Sequence, residues 1–155
     1  RIYGAPPRRR SFTKKLDSEF LSILERQKKT SELYHFSYEG HVADPESRIA
    51  ASDFIVRPSR DNDPWGRDVI ETMSHGKVII ATGYFDGFVK NDVNGFIVGE
   101  WDVNHVADII IDTWYNQARY ARICQNAINF AKTEFAPETA ASKFTATLAD
   151  LNKVK

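Results

Sequence analysis

Three short runs of consecutive apolar residues, separated by helical patterns, most narrowly limit what this chain can fold into. The runs are Phe54-Ile55-Val56, Val78-Ile79-Ile80-Ala81 and Phe96-Ile97-Val98. Uninterrupted apolar runs of this length are typical of strands that are covered on both faces, as in parallel sheets flanked by helices. The sequence therefore predicts an α/β fold, a parallel sheet with helices on both faces.

Helical patterns account for most of the remaining chain. A helix is expected at about residues 14–29, and a short strand at residues 34–38 is expected to end at Gly40. Asp44-Pro45 is typical of a helix start, with proline at the first helical position. Another helix is expected to begin near Gly66 and to end at Gly76.

The last third of the chain is predicted to be entirely helical. Asp102 is the expected N-cap of the first of these helices, and the last one begins at Pro137. Their apolar stripes are predicted to contain Val103, Val106, Ala107, Ile110, Ile111 and Trp114 in the first helix, Tyr120, Ile123, Cys124, Ala127, Ile128 and Ala131 in the second, and Ala140, Ala141, Phe144, Leu148 and Leu151 in the third.

Length and charge exclude several classes of protein. The 155 residues are about one domain's worth of chain, and 42% of them are hydrophobic, which is typical of a globular protein. The 21 basic residues balance the 21 acidic ones, which argues against a nucleic-acid binder. No apolar run is long enough to span a membrane.

The start of the chain and its single cysteine bear on localisation. Cys124 can form no internal disulfide, and no apolar signal segment is present, so we expect a cytoplasmic protein. The basic cluster at residues 8–10, 14 and 15 has two interpretations: a solvated loop, or a peripheral contact with the inner membrane face or with a missing domain. Because the chain opens on Arg1, we interpret it as a piece of a longer protein.

The turn after the first apolar run contains most candidate ligand-binding residues. In parallel α/β sheets, ligands bind beyond the carboxyl ends of the strands, where loops lead into helices. A helix that begins at Gly66 would direct its free N–H groups to this edge, where they attract phosphate and the glycine leaves room for it. Arg67 is a candidate phosphate ligand, and Arg57 and Arg60 are weaker ones.

Two carboxylates flank the same turn. Asp63 and Glu71 would suit the hydroxyl groups of a sugar or a ribose, since carboxylates only accept hydrogen bonds. The alternative is that Asp63 caps the helix and Glu71 faces solvent. Arg67 opposes the helix dipole, so it indicates either an anionic ligand or a neighbouring acid, Asp61 or Asp68.

This arrangement resembles the donor-binding core of family-4 retaining glycosyltransferases, which have the GT-B fold of two Rossmann-like domains. The strings that match are Arg57-Pro58-Ser59, then Asp63-Pro64-Trp65-Gly66-Arg67, then Glu71-Thr72-Met73-Ser74-His75-Gly76-Lys77-Val78-Ile79-Ile80-Ala81-Thr82. Asp63 stands where Glu is commoner in the family. Residues 36–42 resemble the loop that receives the nucleotide base, and residues 92–98 resemble the turn before the next strand.

The resemblance implies one half of a GT-B fold, with residues 1–155 as a single donor-binding domain truncated at its N-terminal edge and the acceptor domain absent. Asp63 would be catalytic and hold the hydroxyls of the donor sugar, and Glu71 would hold the ribose. The backbone around Trp65, Gly66 and Arg67 would receive the diphosphate and the sugar. The base would be lined by Gly40, His41 and Val42.

The implied reaction moves a hexosyl group, with retention, from a nucleotide-sugar donor to a hydroxyl acceptor on a glycan, lipid or small molecule. No cofactor and no metal are expected, because fixed cations and a helix end would stabilise the leaving diphosphate. The isolated chain should be inactive. Paired basic residues of the family have no counterpart here, and Gly87 stands where many members have Glu. The alternatives are a nucleotide-sugar epimerase-like GT-B domain and a non-catalytic α/β interaction module.

Overall fold

The computed structural model describes residues 2–3, 22–23, 25–26, 38–59, 61–100 and 102–153, which belong to two compact units, residues 1–45 and 46–155. In the first unit, strand β1 (Ile2–Tyr3) pairs in parallel with β2 (Tyr38–Gly40), and residues 22, 23, 25 and 26 are helical. The helix predicted at residues 14–29 is therefore confirmed at four positions. Its other positions, the basic cluster and residues 34–37 lie outside the described residues.

The second unit contains a three-stranded parallel sheet. Its strands are β3 (Phe54–Arg57), β4 (Val78–Thr82) and β5 (Phe96–Val98), in the order β3-β4-β5. Helix α1 (Pro45–Ala50) begins at the predicted proline, and α2 (Arg67–Ser74) connects β3 to β4. The three apolar runs are thus confirmed as strands, and the predicted parallel α/β class is confirmed with them.

The central strand β4 is buried along its whole length. Its side chains alternate between two apolar clusters, because successive residues of a strand point to opposite faces. Ile79 and Ala81 pack with residues of α2, whereas Val78 and Ile80 pack on the other face with β5 and with the helix that follows it. Helices therefore cover both faces of the sheet, as predicted. Strand β3, at one end of the strand order, is less covered than expected, and Val56 is 39% exposed.

Three helices close the chain: α3 (Val103–Tyr115), α4 (Gln117–Glu134) and α5 (Pro137–Lys153). Asp102 caps α3 as predicted, since its Oδ1 accepts hydrogen bonds from the N–H groups of Asn104, at 2.8 Å, and His105, at 3.3 Å. Among the described helices, none is long and apolar enough to span a membrane.

The predicted apolar face of α3 is wrong in part, and all five residues of the predicted face of α5 are exposed. The sheet-facing side of α3 is formed by Val106, Ile109, Ile110 and Thr113, while Val103, Ile111 and Trp114 are exposed. Apolar residues occupy so much of the circumference of α3 that spacing alone does not identify its buried side. The predicted stripe is centred about a quarter of a turn from the observed one. In α5, the predicted residues Phe144, Leu148 and Leu151 are exposed.

The stripe predicted on α4 is confirmed. Ile123, Ala127 and Ala131 are buried, and Cys124 is half-buried beside them. Burial raises the pKa of the Cys124 thiol, as expected for an inert structural cysteine. Burial, together with the neighbouring thiol, raises the pKa of Tyr120 to about 12.

The turn before β5 is held against α4 by a carboxylate with two cationic partners. Asp92, in the left-handed region with φ 57°, accepts hydrogen bonds at Oδ1 from Arg119 Nε at 2.8 Å and Arg122 Nη2 at 3.1 Å. Asn126 Nδ2 donates to the Val93 carbonyl oxygen at 2.9 Å. The hydrogen bond from Arg119 and the charges of both arginines lower the pKa of Asp92, against an opposing effect of burial.

Replacement of Asp92 by Asn should destabilise the fold near neutral pH by roughly 0.2–1 kcal/mol per lost ion pair, while it retains a side chain that tolerates positive φ. Because the folded pKa of Asp92 is lowered, its contribution is present above the unfolded pKa near 3.8 and is lost as the pH falls through the folded pKa. Urea unfolding from pH 7 to acid measures the difference. A difference between wild type and variant that stays constant into strong acid would contradict this assignment, and Asp86→Asn, in an exposed loop, is the control.

Candidate functional site

The carboxyl ends of β3 and β4 are joined by hydrogen bonds through one buried threonine. Thr82 Oγ1 donates to the Arg57 carbonyl oxygen at 3.3 Å and accepts from the Ser59 N–H at 3.2 Å. Thr82 is buried, so water competes little for these bonds. The start of the turn after β3 is therefore fixed against the end of β4.

Asp63 closes this turn with two hydrogen bonds, but it does not cap helix α2. Its N–H donates to Ser59 Oγ at 3.0 Å, and its Oδ1 accepts from the Trp65 N–H at 3.0 Å. The N-cap of α2 is Gly66, which has no side chain to accept a hydrogen bond. The interpretation of Asp63 as the helix cap is therefore wrong. The second oxygen, Oδ2, lies 3.9 Å from Arg57 Nη2 on a largely exposed side chain.

Arg57 connects the turn to the first turn of α2. Its Nε lies 3.0 and 3.2 Å from the two carboxylate oxygens of Asp68, and its Nη1 donates to the Asp63 carbonyl oxygen. Its side chain is only 22% exposed. Sequence reasoning treated Arg57 as a weak phosphate candidate. Its ion-pair role could have been inferred from an arginine at the end of an apolar strand, followed by acids six and eleven positions later.

The amide end of α2 lies at this edge. Val69 donates its N–H to the Gly66 carbonyl oxygen at 3.0 Å, whereas the N–H groups of Gly66, Arg67 and Asp68 have no acceptor within the described part of the chain. Three free amides and the positive end of the helix dipole form a position that favours an anion.

Gly66 leaves room for the side chains of Arg57 and Asp68. Its φ of 173° is ordinary extended backbone, but a Cβ at this position would lie 3.0 Å from Arg57 Nη2 and closer still to the Asp68 carboxylate. The chain's own ion pair therefore already occupies part of the space beside the glycine. The expectation that a ligand also approaches the backbone beside Gly66 stays a prediction.

Arg67 and Glu71 form an ion pair along α2. Arg67 Nε lies 2.9 Å from Glu71 Oε1; the arginine side chain is 84% exposed and the glutamate side chain 21% exposed. The interpretation of Glu71 as solvent-facing is therefore wrong. The acid that offsets the cation in the first turn is Glu71, and not Asp61 or Asp68, since the pair is four residues apart on one helical face.

The ring of Trp65 packs within an aromatic cluster. It stacks on Phe88 with ring centroids 3.7 Å apart and lies 5.4 Å from Phe135. The indole thus wedges the start of α2, which leaves the backbone of Trp65 as the part that could face a ligand. The predicted base-lining residues belong to the first unit, where Gly40 ends β2 with φ 64°, His41 is exposed and Val42 is half-buried.

Among the cavities in the described part of the second unit, two are not lined by the predicted site residues. One, of about 240 Å³, lies between the turn before β5, α3 and α4; the other, of about 290 Å³, lies between that turn and α4. Within the described ranges, no group of three or more His, Cys, Asp and Glu side chains could hold a metal ion.

Residues 2–116 match the family model described as "Glycosyl transferases group 1". The match covers most of the chain, and the chain therefore belongs to this family. No curated protein sequence matches the chain significantly.

Solved structures of glycosyltransferases share the fold. HepE from Anabaena in complex with UDP is 24% identical with a TM-score of 0.78, over 96% of this chain and 40% of HepE. HepE in complex with UDP-glucose is 26% identical with a TM-score of 0.72, over 86% of this chain and 37% of HepE. The C-terminal domain of LpcC, a group 1 family protein from Francisella tularensis, is 24% identical with a TM-score of 0.68, over 79% of this chain and 65% of that domain.

These matches confirm the predicted fold class, that of the C-terminal domain of GT-B glycosyltransferases. This chain spans about two fifths of the length of HepE.

Sequence reasoning missed Gly83, against which the turn packs. Its φ is 149°, and a Cβ there would lie 2.5 Å from both the Asn62 carbonyl oxygen and Pro64 Cδ. Gly83→Ala should therefore lower the free energy of unfolding by about 1–3 kcal/mol, since neither backbone strain nor the contact is easily relieved. Denaturant unfolding measures this loss.

The matched control is Gly87→Ala, where the added methyl group would meet only the end of the exposed Phe85 side chain. Equal stability of the two variants would contradict the packing of the turn on Gly83.

Proposed function

We propose that this chain is the nucleotide-sugar-binding domain of a family-4 retaining glycosyltransferase, which moves a hexosyl group from a nucleotide diphosphate to a hydroxyl acceptor. The observation that carries the proposal is the set of N–H groups of Gly66, Arg67 and Asp68 at the carboxyl edge of the sheet, which have no acceptor among the residues that the structure describes. Membership of the group 1 family supports it. Retention and the sugar class rest on the resemblance in sequence.

In this proposal the diphosphate binds the amide end of α2. Charge that develops on the leaving diphosphate during sugar transfer would be stabilised by these fixed amides, which need no reorganisation when the bond breaks. The proposal includes no metal ion and no cofactor. HepE has been solved with UDP and with UDP-glucose, which makes UDP the first nucleotide to test on this chain.

Each of the two carboxylates, Asp63 and Glu71, has one oxygen that could accept a hydrogen bond from a ligand hydroxyl. Asp63 uses Oδ1 on the Trp65 N–H and exposes Oδ2, which would accept from hydroxyls of the donor sugar. Glu71 uses Oε1 on Arg67, and Oε2 has no partner among the residues described, so it would accept from the ribose. Gly40, His41 and Val42 would line the base through main-chain groups.

Acceptor binding is assigned to a domain beyond this chain. The acceptor hydroxyl would belong to a glycan, a lipid or a small molecule, and the isolated chain would bind donor without transferring sugar. The role in carbohydrate biosynthesis and the cytoplasmic location are parts of the same proposal.

Titration of the ¹⁵N-labelled chain with UDP, GDP and ADP should shift amides of residues 40–44 and 61–71 for one of the three, because the base selects the nucleotide while the diphosphate site is shared. Heteronuclear NMR measures the shifts. No shift with any of the three would favour the interaction module and refute the proposal, and shifts confined to the cavity between α3 and α4 would refute the site.

In the full-length enzyme, Asp63→Asn and Glu71→Gln should each lower kcat/KM by roughly ten- to a hundredfold, because a hydrogen bond to a charged group is worth about 1.5–3 kcal/mol. The amide oxygen that Asp63→Asn introduces can still accept from the Trp65 N–H, so the turn should persist. Asp61→Asn is the control, since Asp61 is exposed in the same turn. Near-normal turnover in both variants would defeat the assignment, and conversion of the donor without an acceptor would indicate the epimerase.

A further inference from the structure

Among the described residues, three acids, Asp63, Asp68 and Glu71, and two arginines, Arg57 and Arg67, surround the amide end of α2. Asp63 precedes the helix, and Asp68 lies in its first turn. Acids are favourable there for the helix itself, but each carboxylate would repel an incoming diphosphate. Arg67 does not remove this repulsion, since its partner is Glu71.

The guanidinium of Arg57 lies between these two acids. Arg57 Nε lies 3.0 Å from Asp68 Oδ2, and Arg57 Nη2 lies 3.9 Å from Asp63 Oδ2. The guanidinium also donates through Nη1 to the Asp63 carbonyl oxygen, so the position of the turn depends on it. At 22% exposure, the arginine side chain is less screened by water than a surface ion pair would be.

We propose that Arg57 is a positioning residue of the donor site, which neutralises Asp68 and fixes Asp63 so that the free amides of α2 can accept a diphosphate. This inference rests on the proposed function. In this role Arg57 acts through the two acids and does not itself bind phosphate.

The hydrogen bonds of Arg57 favour this role over that of a direct ligand. Nε and Nη1 are committed to protein acceptors. A Cβ added at Gly66 would lie 3.0 Å from Nη2, so the guanidinium lies close to the backbone at the start of the helix. A phosphate that bound Nε or Nη1 directly would have to displace these protein acceptors.

The test is a double-mutant cycle on Arg57 and Asp68, with UDP and inorganic pyrophosphate as probes and uridine as the uncharged control. Relative to wild type, Arg57→Gln adds one net negative charge, Asp68→Asn removes one, and the double variant restores the balance. Affinity for both anions should therefore be highest in Asp68→Asn, similar in wild type and the double variant, and lowest in Arg57→Gln.

Between successive members of this order, the affinity for each anion should differ about tenfold at low salt. The difference should shrink as salt is added, while the affinity for uridine stays constant. Isothermal titration calorimetry measures the affinities. A double variant as weak as Arg57→Gln would show that Arg57 does not act by neutralising Asp68 and would overturn the proposal, as would uridine affinity that falls in parallel with UDP.

Two further outcomes separate this inference from the proposed function. If pyrophosphate follows the predicted order while UDP, GDP and ADP do not bind, the role of Arg57 stands and the nucleotide assignment fails. If neither anion distinguishes the variants, the role of Arg57 is refuted whether or not UDP binds. Arg122→Gln, which removes a comparable ion pair on α4, should leave all affinities unchanged.

Discussion

The burial of β4 on both faces is the constraint on which the rest of the second unit depends. Its apolar side chains join two separate clusters, one with α2 and the other with α3 and β5, so neither face can turn to water. Parallel pairing on both sides then fixes the register, with Arg57 opposite Ala81 and Thr82 opposite Val98. The carboxyl ends of the strands, and the turns that follow them, are thereby brought to one edge.

Hydrogen bonds and ion pairs connect the polar groups at that edge. Thr82 holds the end of β3, Ser59 and Asp63 close the turn, and Arg57 connects the turn to α2. Among the residues described at this edge, the amides at the start of α2 remain free, and as backbone groups they cannot move without the helix. Such fixed donors suit an anion whose charge increases during reaction.

The strands, the parallel class and most helix starts could be predicted from sequence, because runs of apolar residues and capping residues such as Asp102 act locally. The buried face of α3 could not be predicted, because apolar residues nearly surround the helix and tertiary packing determines which of them are buried. The pairing of Arg57 with Asp68 could not either, because it depends on the path of the turn between them. Asp63 and Glu71 were recognised as candidates, but their partners, Trp65 N–H and Arg67, emerged only from the folded geometry.

The proposed function requires a nucleotide diphosphate to bind where the turn after β3 meets α2. A crystal structure of the protein with UDP tests it most directly. Diphosphate oxygens should lie within hydrogen-bonding distance of the Gly66 and Arg67 N–H groups, with the Arg57–Asp68 pair intact beside them. Diphosphate bound elsewhere, such as in the cavity between α3 and α4, would contradict it.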